Sequence, residues 1–457
     1  MQVLEKARYF TQTLVPVPGA VPYPPLAAPS SLRLQTRIVS LTHNNVTYAA
    51  LGFLVHWWDA HPLPAAGLTP PAYDDADKYG RVSAWGYAEV LDSTLPEGGP
   101  QKGDFVFGYL PLATLAQDVE FKLDEEVPGH LTATSAYRAQ LMPFYNHYTA
   151  VARDSDAARQ LRAAVTEKQG GAVVAVDDGI GFDSLYRLLF ECGHLVTKYM
   201  FDAQNPVHPG LGPDAPSTQP WTREMADLTG ATVVLLAPAS KTALGMAYEM
   251  RKKRAKKNVD GSDGGPKRVV GAAGEGSRDF VQETGLYDVT VSTTETPDAE
   301  FLKAKMGVDV GAGDKVVLID CGGRAGAGER WAAAFRTLCA PGRFVMVGIG
   351  SEAGEHSPAD VLKRFAPKEE DKGERKQEKG VPWYIMVNTG DLRERAAARD
   401  GRRTVFKDAE AAFAEFKREG VPGFKVRWGQ GMEAVAEGWE RLGKGTTRPE
   451  EGMAFLL

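Results

Sequence analysis

The run VVLLAPASKTALGMAYEM, Val233 to Met250, decides how the rest of the chain is read. Its apolar residues continue to Ala237, the chain turns through Pro238-Ala239-Ser240-Lys241-Thr242, and helix formers follow. Strand, tight turn and helix is the order in which nucleotide-binding folds hold a pyrophosphate at a helix N-terminus. The glycines of G-x-G-x-x-G are missing. The stretch therefore reads either as a dinucleotide site with an unusual loop or as a strand followed by a capped helix.

Working outward, the same alternation recurs downstream. The strands RVVGAA (from Arg268), DVTVS, KVVLIDCGG and GRFVMVGIGS are separated by the helix SRDFVQETG and a helix around Trp331 to Cys339. Apolar strands each followed by a helix indicate a parallel sheet covered on both faces. Upstream, DSLYRLLFECGHLVTKYMFDA has helical spacing, with an interruption expected near Gly193, and a proline-rich loop follows it. The first part of the chain is different. Leu32 to Leu41 alternates apolar and polar residues, and Val82 to Val90 and Phe105 to Gly108 read as further strands between Gly and Pro punctuation. Short strands of this kind predict a small barrel. Two segments look inserted: Arg251 to Arg268, with its basic run RKKRAKK, and the charged Ala366 to Gly380. The basic run resembles a nuclear targeting patch, although a solvated insert is the simpler reading. The tail holds the helix DAEAAFAEFKREG, a strand FKVRW, a helix ending near Leu442 and a last strand GMAFLL.

Composition narrows the function classes. The chain has 457 residues, which favours two domains, and 25% charged with 43% apolar residues describes an ordinary globular protein. A net charge of −6 argues against nucleic acid as a partner. Cys192, Cys321 and Cys339 form no C-x-x-C pair, which points to a reducing compartment. The N-terminal stretch is broken by charge and proline, unlike a secretory signal, and no apolar run reaches the roughly 18 residues of a membrane span. The expectation is a cytoplasmic protein without membrane partners.

The order of these pieces resembles the medium-chain dehydrogenase/reductase superfamily. KGDFVFG (Lys102 to Gly108) is similar to its glycine-aspartate turn before a strand, and VVLLAPASKTALGMA to its cofactor strand and loop. LIDCGG, followed by LCAPGRFVMVGIG, is similar to the later strands whose ends line the cofactor cleft. Within the superfamily the chain most resembles a fungal and bacterial branch without an assigned function, and more distantly the enoyl reductases. The resemblance implies an α/β fold, a GroES-like β-barrel domain plus a Rossmann-type doubly wound parallel sheet. It divides the chain into residues 1–177 (substrate domain, first part), 178–365 (NADP-binding domain) and 366–457 (charged insert and return to the substrate domain). It also implies a possible homodimer pairing near RFVMVGIG.

What it implies for the site follows residue by residue. The zinc enzymes of the superfamily use cysteine ligands, and the first 190 residues here contain none, so no metal is expected. A site built from His43, His56 and His61 is conceivable, but they read as three unrelated histidines. Ser240, Lys241 and Thr242 would contact the pyrophosphate, with Ser240 equally suited to capping the helix. After the second strand, Ser277 and Arg278 would suit a 2′-phosphate while Glu275 argues the other way; NADP(H) is the expected cofactor. Asn45, Thr197, Asp320 and Gly348 complete the cofactor-facing set, Asp320 at the ribose side. Tyr48 is the candidate proton donor, with a buried aromatic as the competing reading; Tyr109 and Tyr145 are further cleft candidates. The expected activity is zinc-independent hydride transfer to a carbonyl or activated C=C of a small or medium-sized substrate. The alternative is a catalytically inactive nucleotide-binding, regulatory or accessory protein.

Overall fold

The computed structural model describes residues 1–18, 23–64, 68–169, 176–212, 214–218, 220–255, 264–350 and 384–457. The N-terminus forms strands β1 (Gln2–Glu5) and β2 (Arg8–Leu14), a hairpin. Then come β3 (Ser31–Leu41), helix α1 (His43–Leu51) and the two-residue β4 (Tyr79–Gly80), which pairs with β1. After β5 (Ser83–Ser93), β6 (Phe105–Pro111), β7 (Gln117–Leu123), β8 (His130–Ala133) and β9 (His147–Ala150), the chain crosses over through α2 (Asp178–Leu195).

The barrel closes on β3. The order β3-β5-β6-β9-β8-β7 returns to β3 through pairing of Ser31–Leu34 with Gln117–Glu120. The other half of this eleven-residue strand, Ile38 to Leu41, receives the C-terminal strand β17 (Glu451–Leu456), and β17 carries β16 (Lys425–Gln430). The C-terminal strands are thus built onto the barrel sheet. Gly86 of β5 permits the close crossing, since a Cβ there would stand 1.9 Å from the Ile38 carbonyl oxygen.

The deciding stretch supplies β10 (Thr232–Leu236) and α3 (Lys241–Ala255). They are followed by β11 (Arg268–Ala273), α4 (Arg278–Glu283), β12 (Val289–Ser292), β13 (Val316–Cys321), α5 (Ala327–Leu338), β14 (Phe344–Gly350) and β15 (Tyr384–Met386). All pairings in this sheet are parallel and the order is β12-β11-β10-β13-β14-β15. Numbered within the sheet this is 3-2-1-4-5-6, the doubly wound order. Successive residues of β10 face opposite sides, which is why the whole run is apolar. Val233 and Leu235 pack under α2 and α3, whereas Val234 and Leu236 join the core beneath Trp331 and Phe335 of α5. The fold is therefore α/β, a closed β-barrel plus a Rossmann-type sheet.

Differences from the sequence reading are local. Helix α2 is not interrupted at Gly193; the glycine lets α3 approach, since a Cβ there would lie 3.0 Å from Met246 and 3.1 Å from the Thr242 carbonyl oxygen. A polar helix, α6 (Thr389–Asp400), precedes the expected tail helix, which extends over Arg402–Glu419 as α7; α8 (Gly431–Gly443) closes the set. Part of the basic insert, residues 256–263, and the charged segment Ala366 to Gly380 lie outside the described residues. Among the described residues no helix is long and apolar enough to cross a membrane.

Candidate functional site

In a doubly wound sheet, ligands bind where the strand order reverses, here above the C-terminal ends of β10 and β13. One row of paired residues marks that edge: Ala272, Leu236, Asp320, Gly348 and Met386, on five adjacent strands. The chain leaves β10 through Ala237, which adopts the left-handed φ of +51° that a glycine would take freely. An alanine there costs about 1–2 kcal/mol of backbone strain. Ser240 then caps α3, the Ala243 N–H donating to its hydroxyl at 3.3 Å. The Tyr287 hydroxyl braces the loop by donating to the Pro238 carbonyl at 2.7 Å.

Three basic side chains converge above this loop. The Lys241 ammonium stands 5.8 Å from the Tyr186 ring centroid and 5.5 Å from that of Phe424, and makes no ion pair among the described residues. Burial lowers its pKa to about 8. Arg324 lies in the loop after β13, where Gly322, Ala325 and Gly326 all have positive φ. It reaches across to the barrel, its Nη2 lying 3.5 Å from His43 Nε2 at the start of α1. Burial, then Arg324, then Lys241 push the His43 pKa down to about 4, so this imidazole is neutral at physiological pH. Asp320 shapes the same loop by accepting the N–H groups of Gly322 (2.9 Å) and Gly323 (2.7 Å). Cys321 hydrogen-bonds with Ser240, and burial raises its pKa, which keeps the thiol protonated. Beyond β11, Ser277 donates to the Gly274 carbonyl at 3.2 Å and does not cap α4 through its side chain; Arg278 is exposed and unpaired among the described residues.

The family model described as "Protein of unknown function (DUF2855)" matches residues 39–448. The chain belongs to that family. No curated protein matches the sequence. Among solved structures, it is similar to CurA from Vibrio vulnificus in complex with NADPH, at 11% identity and a TM-score of 0.48, covering 100% of this chain and 98% of that one. It is also similar to the CurK enoyl reductase, at 12% identity and a TM-score of 0.44, covering 96% and 93%. A third is the human synaptic vesicle membrane protein VAT-1 homolog-like protein, at 11% identity and a TM-score of 0.42, covering 96% and 92%.

In this family member, Ser240, Lys241, Thr242, Asp320 and Gly348 share one edge of the sheet, with Ser277 and Arg278 one strand away. Gly348 is there for packing, since a Cβ would stand 2.8 Å from the Tyr384 hydroxyl. Three expected residues are not brought to the cluster. Thr197 lies in a π-helical turn, Val196–Met200, where its carbonyl accepts from Lys253 at 3.2 Å. Helices α2 and α3 run side by side, with the Tyr186 ring against the Lys241 ammonium, His194 against Glu249 and Thr197 against Lys253 near the end of α3. Asn45 is spent on the barrel: its Oδ1 accepts the Thr42 N–H (2.7 Å) and its Nδ2 donates to the Ser83 carbonyl (2.9 Å). Tyr48 is 4% exposed inside an aromatic cluster with Trp57, Tyr109 and Tyr145, and its hydroxyl accepts from Trp85 Nε1 at 3.2 Å. Burial raises its pKa to about 12. The buried-aromatic reading of Tyr48 is the one the geometry favours.

The histidines have separate surroundings. His56 pairs with Asp59, while His61 is buried beside the Tyr109 carbonyl. Sequence reasoning missed His43 as a cleft residue, together with Arg324, Tyr186 and Phe424. The only local signal was an arginine in a glycine-rich turn directly after LIDCGG.

Proposed function

We propose that the chain is an NADP(H)-dependent, zinc-independent oxidoreductase that transfers hydride to a carbonyl or activated C=C of a small or medium-sized substrate. The observation that carries this reading is Lys241, a desolvated cation without a carboxylate partner among the described residues, at the N-terminus of a helix that follows the first strand of a doubly wound sheet. A buried charge without a counter-ion is costly, and an anionic ligand removes that cost. A dinucleotide pyrophosphate suits this position, because the helix N-terminus contributes N–H donors and a favourable dipole. Lys241, Thr242 and the first turn of α3 would hold it; Ser277 and Arg278 would hold the 2′-phosphate. When bound, the cofactor supplies the hydride. The chain's own contribution is to orient and to exclude water: the rings of Tyr186 and Phe424 wall the ammonium, and Tyr287 fixes the loop.

Zinc independence rests on the donor set. The first 190 residues contain no cysteine, and His43, His56 and His61 have separate partners in Arg324, Asp59 and the Tyr109 carbonyl. The substrate proton would then come from water at the mouth, since Tyr48 is packed away from it.

One observation favours the second reading, a nucleotide-binding protein without turnover: the one tyrosine expected to donate a proton is buried among Trp57, Tyr109 and Tyr145. A titration with NADPH and NADH, followed by nicotinamide fluorescence, separates these outcomes. Tight NADPH binding with oxidation on adding an enone or ketone supports the reductase. Binding without oxidation across such a panel supports the second reading, and no binding of either nucleotide removes both.

A further inference from the structure

The basic groups of the mouth exceed what one dinucleotide needs, and they are not evenly placed. The sheet order sets β11 on one side of β10 and β13 on the other. Ser277 and Arg278 follow β11, so the 2′-phosphate contacts proposed above lie on that side. Arg324 follows β13, on the opposite side, and extends away from the sheet to the barrel. Its only side-chain partner among the described residues is a neutral imidazole at 3.5 Å, at the long limit for a hydrogen bond. A guanidinium offers five N–H donors in a planar fork that matches a carboxylate with two parallel bonds. His43 is the barrel's contribution to this spot, and Lys241 lies near enough to act on its charge. Two cations and a neutral ring, with no carboxylate paired to either cation among the described residues, line the region between barrel and sheet. That region is where a substrate would enter.

We infer that the substrate is an anion, a carbonyl or α,β-unsaturated compound bearing a carboxylate, and that Arg324 grips the carboxylate with His43 beside it. The inference rests on the reductase reading above and assigns its substrate class. In the reduction, a bound reduced nicotinamide would supply hydride to form a C–H bond at the electrophilic carbon, the C=C or C=O π pair would move onto the neighbouring atom, and that atom would take a proton from water. The substrate gains two electrons and the cofactor loses two. The carboxylate is unchanged by the step and stays held by the guanidinium throughout. A charge-assisted fork of this kind gives specificity against the neutral amide of the same shape, which leaves the guanidinium unpaired.

The test uses trans-cinnamate and its isosteric neutral amide as probes of the full-length protein, with and without saturating NADPH. Histidine labelled with 13C at Cε1 reports on the His43 ring, assigned through the His43→Gln variant, and nicotinamide fluorescence reports cofactor binding in the same samples. The expected result is cinnamate binding about tenfold or more tightly than cinnamamide, with the His43 pKa rising from about 4 as the carboxylate offsets Arg324. In Arg324→Gln the preference for the acid disappears while the NADPH Kd stays within about threefold. Equal binding of acid and amide, or no response at His43, in protein that binds NADPH overturns the inference and leaves the nucleotide reading standing. A tenfold loss of NADPH affinity in Arg324→Gln also overturns it, because the arginine would then serve the cofactor. If NADPH fails to bind while cinnamate is still preferred, the anion site stands and the nucleotide reading falls.

Discussion

The Lys241 ammonium stands over the Tyr186 ring, 5.8 Å from its centroid, and this pair ties the side of α2 to the first residue of α3. A cation over an aromatic face is partly compensated for lost water, which lets Lys241 remain in the loop without a carboxylate. The arrangement makes a titratable prediction. The free ammonium has a pKa lowered to about 8, and a bound phosphate favours its charged form. NADPH affinity is therefore expected to fall as pH rises above about 8, by up to about 1.4 kcal/mol per unit. Calorimetry between pH 7 and 9.5 measures this. Lys241→Met should weaken NADPH by about 1–3 kcal/mol at pH 7 and abolish the pH dependence, whereas Lys241→Arg should keep the affinity and lose the dependence. A pH-independent wild type would remove Lys241 from the phosphate contact.

Cofactor discrimination is expected to sit one strand away. Ser277 and Arg278 begin α4 beyond the end of β11, in a turn where Cβ atoms added at Gly274 or Gly276 would meet nothing within 4 Å. That open space accommodates a phosphate. Arg278→Ala should cost NADPH about 1–3 kcal/mol and leave NADH binding unchanged. Equal losses for both nucleotides would mean that Arg278 acts on something other than the 2′-phosphate.

Tyr48→Phe separates packing from proton donation. The phenol is buried, its pKa is raised to about 12, and its oxygen accepts from Trp85. Removing that acceptor leaves a buried indole N–H unpaired, at a cost of about 1–3 kcal/mol of stability. Turnover per folded molecule is expected to stay within about threefold, since a general acid contributes far more, typically about 10²–10⁴-fold. A hundredfold loss in kcat with unchanged urea midpoint would restore Tyr48 as the proton donor.

The contrast between Lys241 and Thr197 shows how far a sequence carries the argument. Four apolar residues of β10 and the helix after them announce a buried parallel strand, because both faces of that strand must be covered. The strands that follow repeat the pattern, so the doubly wound sheet and the loop at its switch point were legible. Thr197 lies beside Lys253 and not beside Lys241, since helical spacing gives a face and not a position along it: nothing in the sequence says that the Tyr186 ring, eleven residues earlier, meets the Lys241 ammonium. Helix α6 was missed because its buried residues Leu392, Arg393 and Ala396 are set among many charges, and the apolar stripe is thin. The Arg324–His43 contact spans 281 residues, and only tertiary packing brings its two halves together.

Acid stability tests a different part of the molecule, the barrel interior. His61 is 1% exposed, with Nε2 2.8 Å from the Tyr109 carbonyl oxygen, and burial, Arg138 and Arg81 hold its pKa well below the usual value. His147 has its Nε2 2.9 Å from His130 Nδ1, and burial, Arg393, His130, Arg402 and Arg187 likewise depress it. Both rings stay neutral in the folded state, while the unfolded chain protonates them below about pH 6.5. The unfolded state then binds more protons, so stability rises with pH and falls on acidification through that window. Each ring contributes a slope of up to about 1.4 kcal/mol per pH unit. Urea unfolding between pH 5 and 8 should show a plateau above about 6.5 and a steep loss below it, ahead of most carboxylate titration. His61→Gln and His147→Gln should each flatten that slope, whatever they do to stability at pH 8. A slope unchanged in both variants would mean that these rings are protonated in the folded barrel.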